Sequence, residues 1–296
     1  MTLHLRPRQL VRGALAVGVG IAVPSWGPLA SGAPRAPLVV FTQYVDNGMG
    51  SDDNLTVYVA RLGSRAAHRL SESCVDCADN GRWSPDGTTI VYQENEGIYA
   101  IHPDGSDKRL VCASTPRNQW CEDFPTWSPD GRQIAFSLAR GGIGVAPARG
   151  GPVKLLPRTR KYGVTGLDWS PDGRQFAFES RYDAVDGILA NGTGGRRIAS
   201  HAVSPRWSPD GLRLLFQSEN DAEIFVSGPG GRIQKMLKIN ADSPNWQDDT
   251  HLFYATRDSF YSYDLSANRA SRIAPLPDVC RGRGVFCASF DVQPIH

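Results

Sequence analysis

Trp83-Ser-Pro-Asp-Gly87 recurs unchanged as Trp127-Ser-Pro-Asp-Gly131, Trp169-Ser-Pro-Asp-Gly173 and Trp207-Ser-Pro-Asp-Gly211, and Trp246-Gln-Asp-Asp-Thr250 is a degraded further copy. The tryptophans stand 44, 42, 38 and 39 residues apart, the length of one four-stranded propeller blade. Within the pentapeptide, Ser at the first turn position, Pro at the second and Gly at the fourth match a type I turn and its exit. Apolar, β-branched and aromatic triplets follow each turn: Ile90-Val-Tyr92, Ile134-Ala-Phe136, Phe176-Ala-Phe178, Leu214-Leu-Phe216 and Leu252-Phe-Tyr254. These predict the second strand of a hairpin whose first strand ends at the Trp. Third strands (Gly97-Ile-Tyr99, Ile143-Gly-Val145, Ile224-Phe-Val226, Phe260-Tyr-Ser-Tyr263) and shorter fourth strands complete each copy.

The two chain ends complete the count. Leu38-Val-Val-Phe41, Leu55-Thr-Val-Tyr-Val59 and His68-Arg-Leu70 read as second, third and fourth strands with no first strand before them. Val285-Phe-Cys-Ala-Ser-Phe290 reads as the missing first strand, with Phe290 set in register with the tryptophans, 44 residues after Trp246. The expected fold is therefore all-β: a six-bladed β-propeller over residues 38–296, its closing blade built from both termini, which leaves no exposed sheet edge at the seam. With 31 glycines and 21 prolines among 296 residues, the composition agrees with a turn-rich chain and excludes a coiled coil or helical bundle.

Residues 1–32 read as a secretory signal peptide: Arg6, Arg8 and Arg12 precede the short apolar run Ala14 to Val23, and Ala30-Ser-Gly32 suits cleavage. No membrane span is expected after cleavage. Three of the 32 basic residues leave with the leader and none of the 30 acidic ones, so the mature chain is formally close to neutral and nucleic acid is excluded as a partner. Six cysteines, an even number on an exported chain, favour disulfides over metal. Cys74, Cys112 and Cys280 each share an inter-blade connection with a later cysteine, so the register predicts Cys74–Cys77, Cys112–Cys121 and Cys280–Cys287.

The in-phase Trp-Ser-Pro-Asp-Gly repeats resemble those of the TolB-like propellers, relatives of WD-repeat proteins. The resemblance covers residues 38 to 296 and implies an exported scaffold that binds partner proteins in the cell envelope. The α/β domain that precedes the propeller in TolB itself has no counterpart here.

The repeat sorts loops onto two faces. The Ser-Pro-Asp-Gly turns share a turn face, where Asp86, Asp130, Asp172 and Asp210 are expected as turn formers. The blade connections and second-to-third-strand loops share a loop face, whose variation between copies marks it as the binding face. Asp46, Asp52, Asp53, Glu94, Glu96, Glu179, Asp183, Asp186, Glu219, Asp221 and Asp258 are expected on those loops, an acidic rim suited to a cationic segment or a divalent ion. The candidate binding residues at the channel mouth are Asp79, Asn80, Trp120, Glu122, Asp123, Arg160, Tyr162, His201 and Asp242. Asp79, Asp123 and Asp242 each precede their Trp by four positions; three carboxylates so placed either converge on a cation or make local turn hydrogen bonds. No catalytic residue and no firm cofactor is assigned, beyond a possible divalent cation in the channel. The expected function is a monomeric, exported, non-catalytic scaffold for a protein or peptide partner in the envelope or extracellular space. A metal-assisted hydrolase or lyase using His201 and the carboxylates is the alternative, and a sugar-binding propeller with Trp120 and Tyr162 as platforms is a third.

Overall fold

The hairpin pattern folds as the repeat requires. The computed structural model describes residues 36–46, 54–72, 74–75, 78–95, 97–113, 121, 123–181, 183–218, 223–239, 241–282 and 284–294; for residues 74, 75, 78 and 242 only the backbone is described. Five antiparallel blades follow one another, each with its four strands paired in chain order. Blade 1 holds Ala78–Trp83, Ile90–Glu94, Gly97–Ile101 and Arg109–Ala113; blade 2 holds Thr126–Trp127, Gln133–Ser137, Ile143–Pro147 and Lys154–Leu155. Blades 3, 4 and 5 begin with Thr165–Trp169, Ala202–Trp207 and Asp242–Trp246. The closing blade runs Val285–Val292, Leu38–Val45, Asn54–Arg61, Ala67–Arg69, so the last strand of the chain pairs with the first and the ring is sealed as expected. The short Cys74–Val75 strand also pairs with Asn54–Arg61.

The core is six wedges, one between each pair of neighbouring blades. Trp127 packs with Val91, Ile98 and Val111 of blade 1 and with Ile134 and Phe136 of its own blade, and Trp83, Trp207 and Trp246 fill equivalent wedges. The Ser-Pro-Asp-Gly turns are held by one repeated network. In blade 1 the Ser84 hydroxyl donates to Asp86 at 2.5 Å and accepts from Thr89 N at 2.9 Å, while Asp86 accepts from Thr88 N. Ser128, Ser170 and Ser208 repeat it with Asp130, Asp172 and Asp210.

The expected register of the closing blade needs one correction. Val292, not Phe290, occupies the Trp position of the closing blade: it faces Val39 as Trp83 faces Ile90. Phe290 lies two residues earlier and fills the wedge itself, stacked on Phe41 at 5.7 Å and edge-on to Phe260 at 5.2 Å, so no Trp is needed there. Two of the three expected disulfides are present, Cys112–Cys121 and Cys280–Cys287, with Cα separations of 6.2 and 5.4 Å. Cys77 and the Cys74 side chain lie outside the described residues, as do residues 1–35. Among the described residues no helix is long and apolar enough to cross a membrane.

Candidate functional site

Every first strand carries the same irregularity. Three residues before the Trp position stand Asn80, Phe124, Gly166, Ser204, Ser243 and Ser289, all with φ between 48° and 56°. In five of the six, strand pairing shifts by one residue around this point, as a β-bulge. A bulge frees a backbone amide from the ladder, and that amide must find another acceptor. In blades 1 and 2 the preceding acid supplies it: Asn80 N donates to Asp79 Oδ1 at 2.6 Å and Phe124 N to Asp123 Oδ1 at 2.7 Å. Where the preceding residue is Val203 or Ala288, a neighbouring blade does so, Glu179 for Ser204 N and Ser243 Oγ for Ser289 N. Asp79 and Asp123 are thus caps of their own strands, the local hydrogen-bonding alternative of the sequence reading.

The six left-handed residues surround a cavity of about 220 Å³ on the channel axis, lined by Asp79, Asn80, Asp123, Phe124, Gly166, Ser204, Ser243 and Ser289, with Arg82 and Arg206 on the inner side. Its acids are fixed in place. Asp79 accepts from Thr42 Oγ1 and from the Tyr44 hydroxyl, each at 2.7 Å, and Asn80 Nδ2 donates to Asp123 at 2.8 Å. Burial, reinforced by the Asp79 carboxylate, pushes the Tyr44 phenol upward, so it stays a donor.

Of the residues selected from sequence, the structure brings together Asp79, Asn80 and Asp123. The backbone of Asp242 occupies the equivalent strand position opposite Ala255; Trp120 and Glu122 lie outside the described residues. Tyr162 packs edge-on to Phe178 at 5.2 Å, in the wedge between blades 2 and 3. His201 is exposed on a left-handed turn whose N–H donates to Asp183 O at 2.6 Å, and neither it nor Arg160 lines the cavity. The acidic rim is also thinner than expected. Glu94 and Asp186 belong to strands and are only 2% and 3% exposed, ion-paired with Lys108 and Arg197 from the outer side of their blades. Asp52, Asp53, Glu96, Glu219 and Asp221 lie outside the described residues. Among those residues no group of three or more His, Cys, Asp or Glu could hold a metal ion.

A second layer, absent from the sequence reading, lies deeper. The residues immediately before the Trp position are Arg82, Thr126, Asp168, Arg206, Asn245 and Asp291, a pattern that nearly repeats after half a turn. Asp291 accepts from Trp83 N at 2.8 Å and from Asn245 Nδ2 at 2.6 Å, and lies 3.9 Å from the Arg82 guanidinium. Asp168 accepts from Trp207 N at 2.7 Å. Both bonds cross between blades, so these acids staple the ring. Desolvation raises both carboxyls, Asp168 to about 6, with Arg82 opposing the rise. Aligning the residue before each Trp would have found five members of this layer; Asp291 needed the corrected register.

Beyond it, on the turn face, opens a bowl of about 690 Å³, rimmed by Pro85, Pro129, Pro171 and Pro209 and walled by the tryptophans, with Arg82, Asp168, Arg206 and Asp291 at its floor.

This architecture has counterparts among solved structures. No family model and no curated protein matches the sequence. A chain from a nidogen/laminin complex matches at 11% identity and TM-score 0.64 over 87% of this chain and 98% of its own. A protein assigned as TolB from Agrobacterium tumefaciens matches at 17% identity and TM-score 0.58, over 89% of this chain and 100% of its own. An oligogalacturonate lyase in complex with manganese matches at 14% identity and TM-score 0.55, over 80% and 78%. At these identities the likeness is one of fold: a six-bladed, TolB-like β-propeller. The two disulfides among the described residues are consistent with a periplasmic or extracellular location.

Proposed function

We propose that the chain is an exported, non-catalytic propeller scaffold that binds a protein or peptide partner at the loop-face mouth of its channel. One observation carries the reading. All six first strands open onto one small cavity, whose Asp79 and Asp123 are held by hydrogen bonds before any partner arrives. Prefixed acceptors favour binding because little ordering remains to be done on association, and their charge suits a Lys, Arg or amide-bearing segment. Export by the leader of residues 1–32 completes the proposal.

The test is affinity capture from envelope extracts with the mature chain and with Asp79→Asn/Asp123→Asn, which keeps an acceptor for each bulge amide. Loss of a partner on the double variant supports the proposal; identical capture contradicts it. The competing reading, a metal-assisted lyase or hydrolase, draws on the lyase fold alone. One tightly held divalent ion per purified chain would favour it instead.

A further inference from the structure

We infer that the turn-face bowl is a second binding site, distinct from the loop-face mouth, and that it takes an extended peptide segment carrying a carboxylate beside apolar residues. The argument is a count of donors and acceptors at the floor. Both carboxylates there are committed, Asp168 to Trp207 N and Asp291 to Trp83 N, Asn245 and Arg82. Arg206 is different. Its guanidinium donates to Pro205 O at 2.7 Å, and among the described residues no carboxylate lies within ion-pairing distance. A partly buried guanidinium without an anion is uncommon, because its desolvation is then uncompensated.

The tryptophans of the wall offer an occupant apolar faces and no open donor. Trp127 Nε1 donates to Arg82 O at 3.2 Å and Trp246 Nε1 to Arg206 O at 3.0 Å. Trp83 and Trp207, 5% and 6% exposed, both in the bowl wall, have buried Nε1 donors with no acceptor. They sit three blades apart, on opposite sides of the ring. Both of these Nε1 atoms are sealed from the bowl, so the donor open to an occupant is the Arg206 guanidinium, and the missing chemistry is a carboxylate or carbonyl oxygen. Arg206, at the neck between cavity and bowl, offers the fork that a carboxylate binds bidentately. The prolines of the rim present apolar edges that suit the apolar side chains of a peptide.

Random octapeptides displayed on phage, panned against the mature wild-type chain, test this. The enriched sequences are expected to include a group that carries Asp or Glu beside apolar residues. Measured by fluorescence anisotropy, a synthesised binder should lose about tenfold or more in affinity as its Glu→Gln or Asp→Asn twin. It should lose as much on the Arg206→Gln chain, less on Arg206→Lys, and nothing on Asp79→Asn/Asp123→Asn, which separates this site from the loop-face one. Thermal melts of the Arg206 variants confirm that the ring is intact, and Arg206→Lys serves alone if Arg206→Gln does not fold. Absence of acidic enrichment, binding indifferent to Arg206, or Arg206-dependent capture of oligouronate with no peptide binding would each overturn the inference.

Discussion

The two ends of the channel are built by the same six strands and differ in what their hydrogen-bonding groups lack. At the loop-face end, bulges free amides, and Asp79, Asp123, Glu179 and Ser243 cap four of them, so negative charge lies fixed around a small polar space. At the turn-face end, carboxylates are taken up by inter-blade staples, and among the described residues the Arg206 guanidinium is left without an anion. A propeller axis is thus two sites of opposite need, separated by one layer of residues.

The largest expected effect removes both ends at once. Deleting residues 284–296 takes away the strand Val285–Val292, Asp291 with its staple, and Phe290 from its wedge. The ring should lose its cooperative unfolding transition, read by circular dichroism; a truncated chain melting at the wild-type temperature would show that the seam carries no load. Next comes the staple alone. Asp291→Ala leaves Trp83 N and Asn245 without an acceptor and Arg82 without its counter-ion, which should cost about 3 kcal/mol in urea unfolding. A loss under 1 kcal/mol would mean that the staple is replaced by water.

Acids in the two regions also respond oppositely to pH. Asp86, Asp130 and Asp172 are lowered, chiefly by the Ser hydroxyl of their own turn, and Asp210 likewise despite its partial desolvation. Their contribution is present above the ordinary Asp range and lost only as pH falls through their lowered values. Asp168 is raised to about 6 from 3.8. Between these values the unfolded chain has released a proton that the folded chain retains, so the contribution of Asp168 to stability falls as pH rises from about 4 to 6. Melts of wild type and Asp168→Asn across that range should show the wild-type advantage shrinking with rising pH. A constant difference would count against a buried, raised carboxyl. Asp130→Asn should show no such slope there.

The smallest effect concerns loop stiffness. Replacing Cys112 and Cys121 by serine should cost about 2–3 kcal/mol, because the bridge closes a short loop, while leaving the turn-face bowl unaltered. Reduced binding of acidic octapeptides by that variant would break the separation of the two ends.

The fold was legible because turn chemistry and strand period agree at every copy: Ser-Pro-Asp-Gly fixes the hairpin and the following triplet fixes its second strand. The candidate site was legible only in part. Asp79 and Asp123 were found from their shared offset before the Trp, but the bulge that gives them work is invisible in sequence. Its left-handed residue is Asn80, Phe124, Gly166 or a serine, with no common side chain to reveal it. The same bulge re-aims the residue before each Trp, which is why Arg206 and Asp168 were read past. Glu94 and Asp186 misled because an acid near a strand end looks like a loop acid until Lys108 and Arg197 are seen beside them.

The most direct measurement of the two-ended channel is a crossed binding experiment. Octapeptides enriched on the wild-type chain are sorted into cationic and acidic groups, and each group is titrated against Asp79→Asn/Asp123→Asn and against Arg206→Gln. The account predicts that cationic peptides weaken about tenfold on the first variant alone and acidic peptides about tenfold on the second alone. Both groups weakening on the same variant, or neither responding to its own, would contradict it.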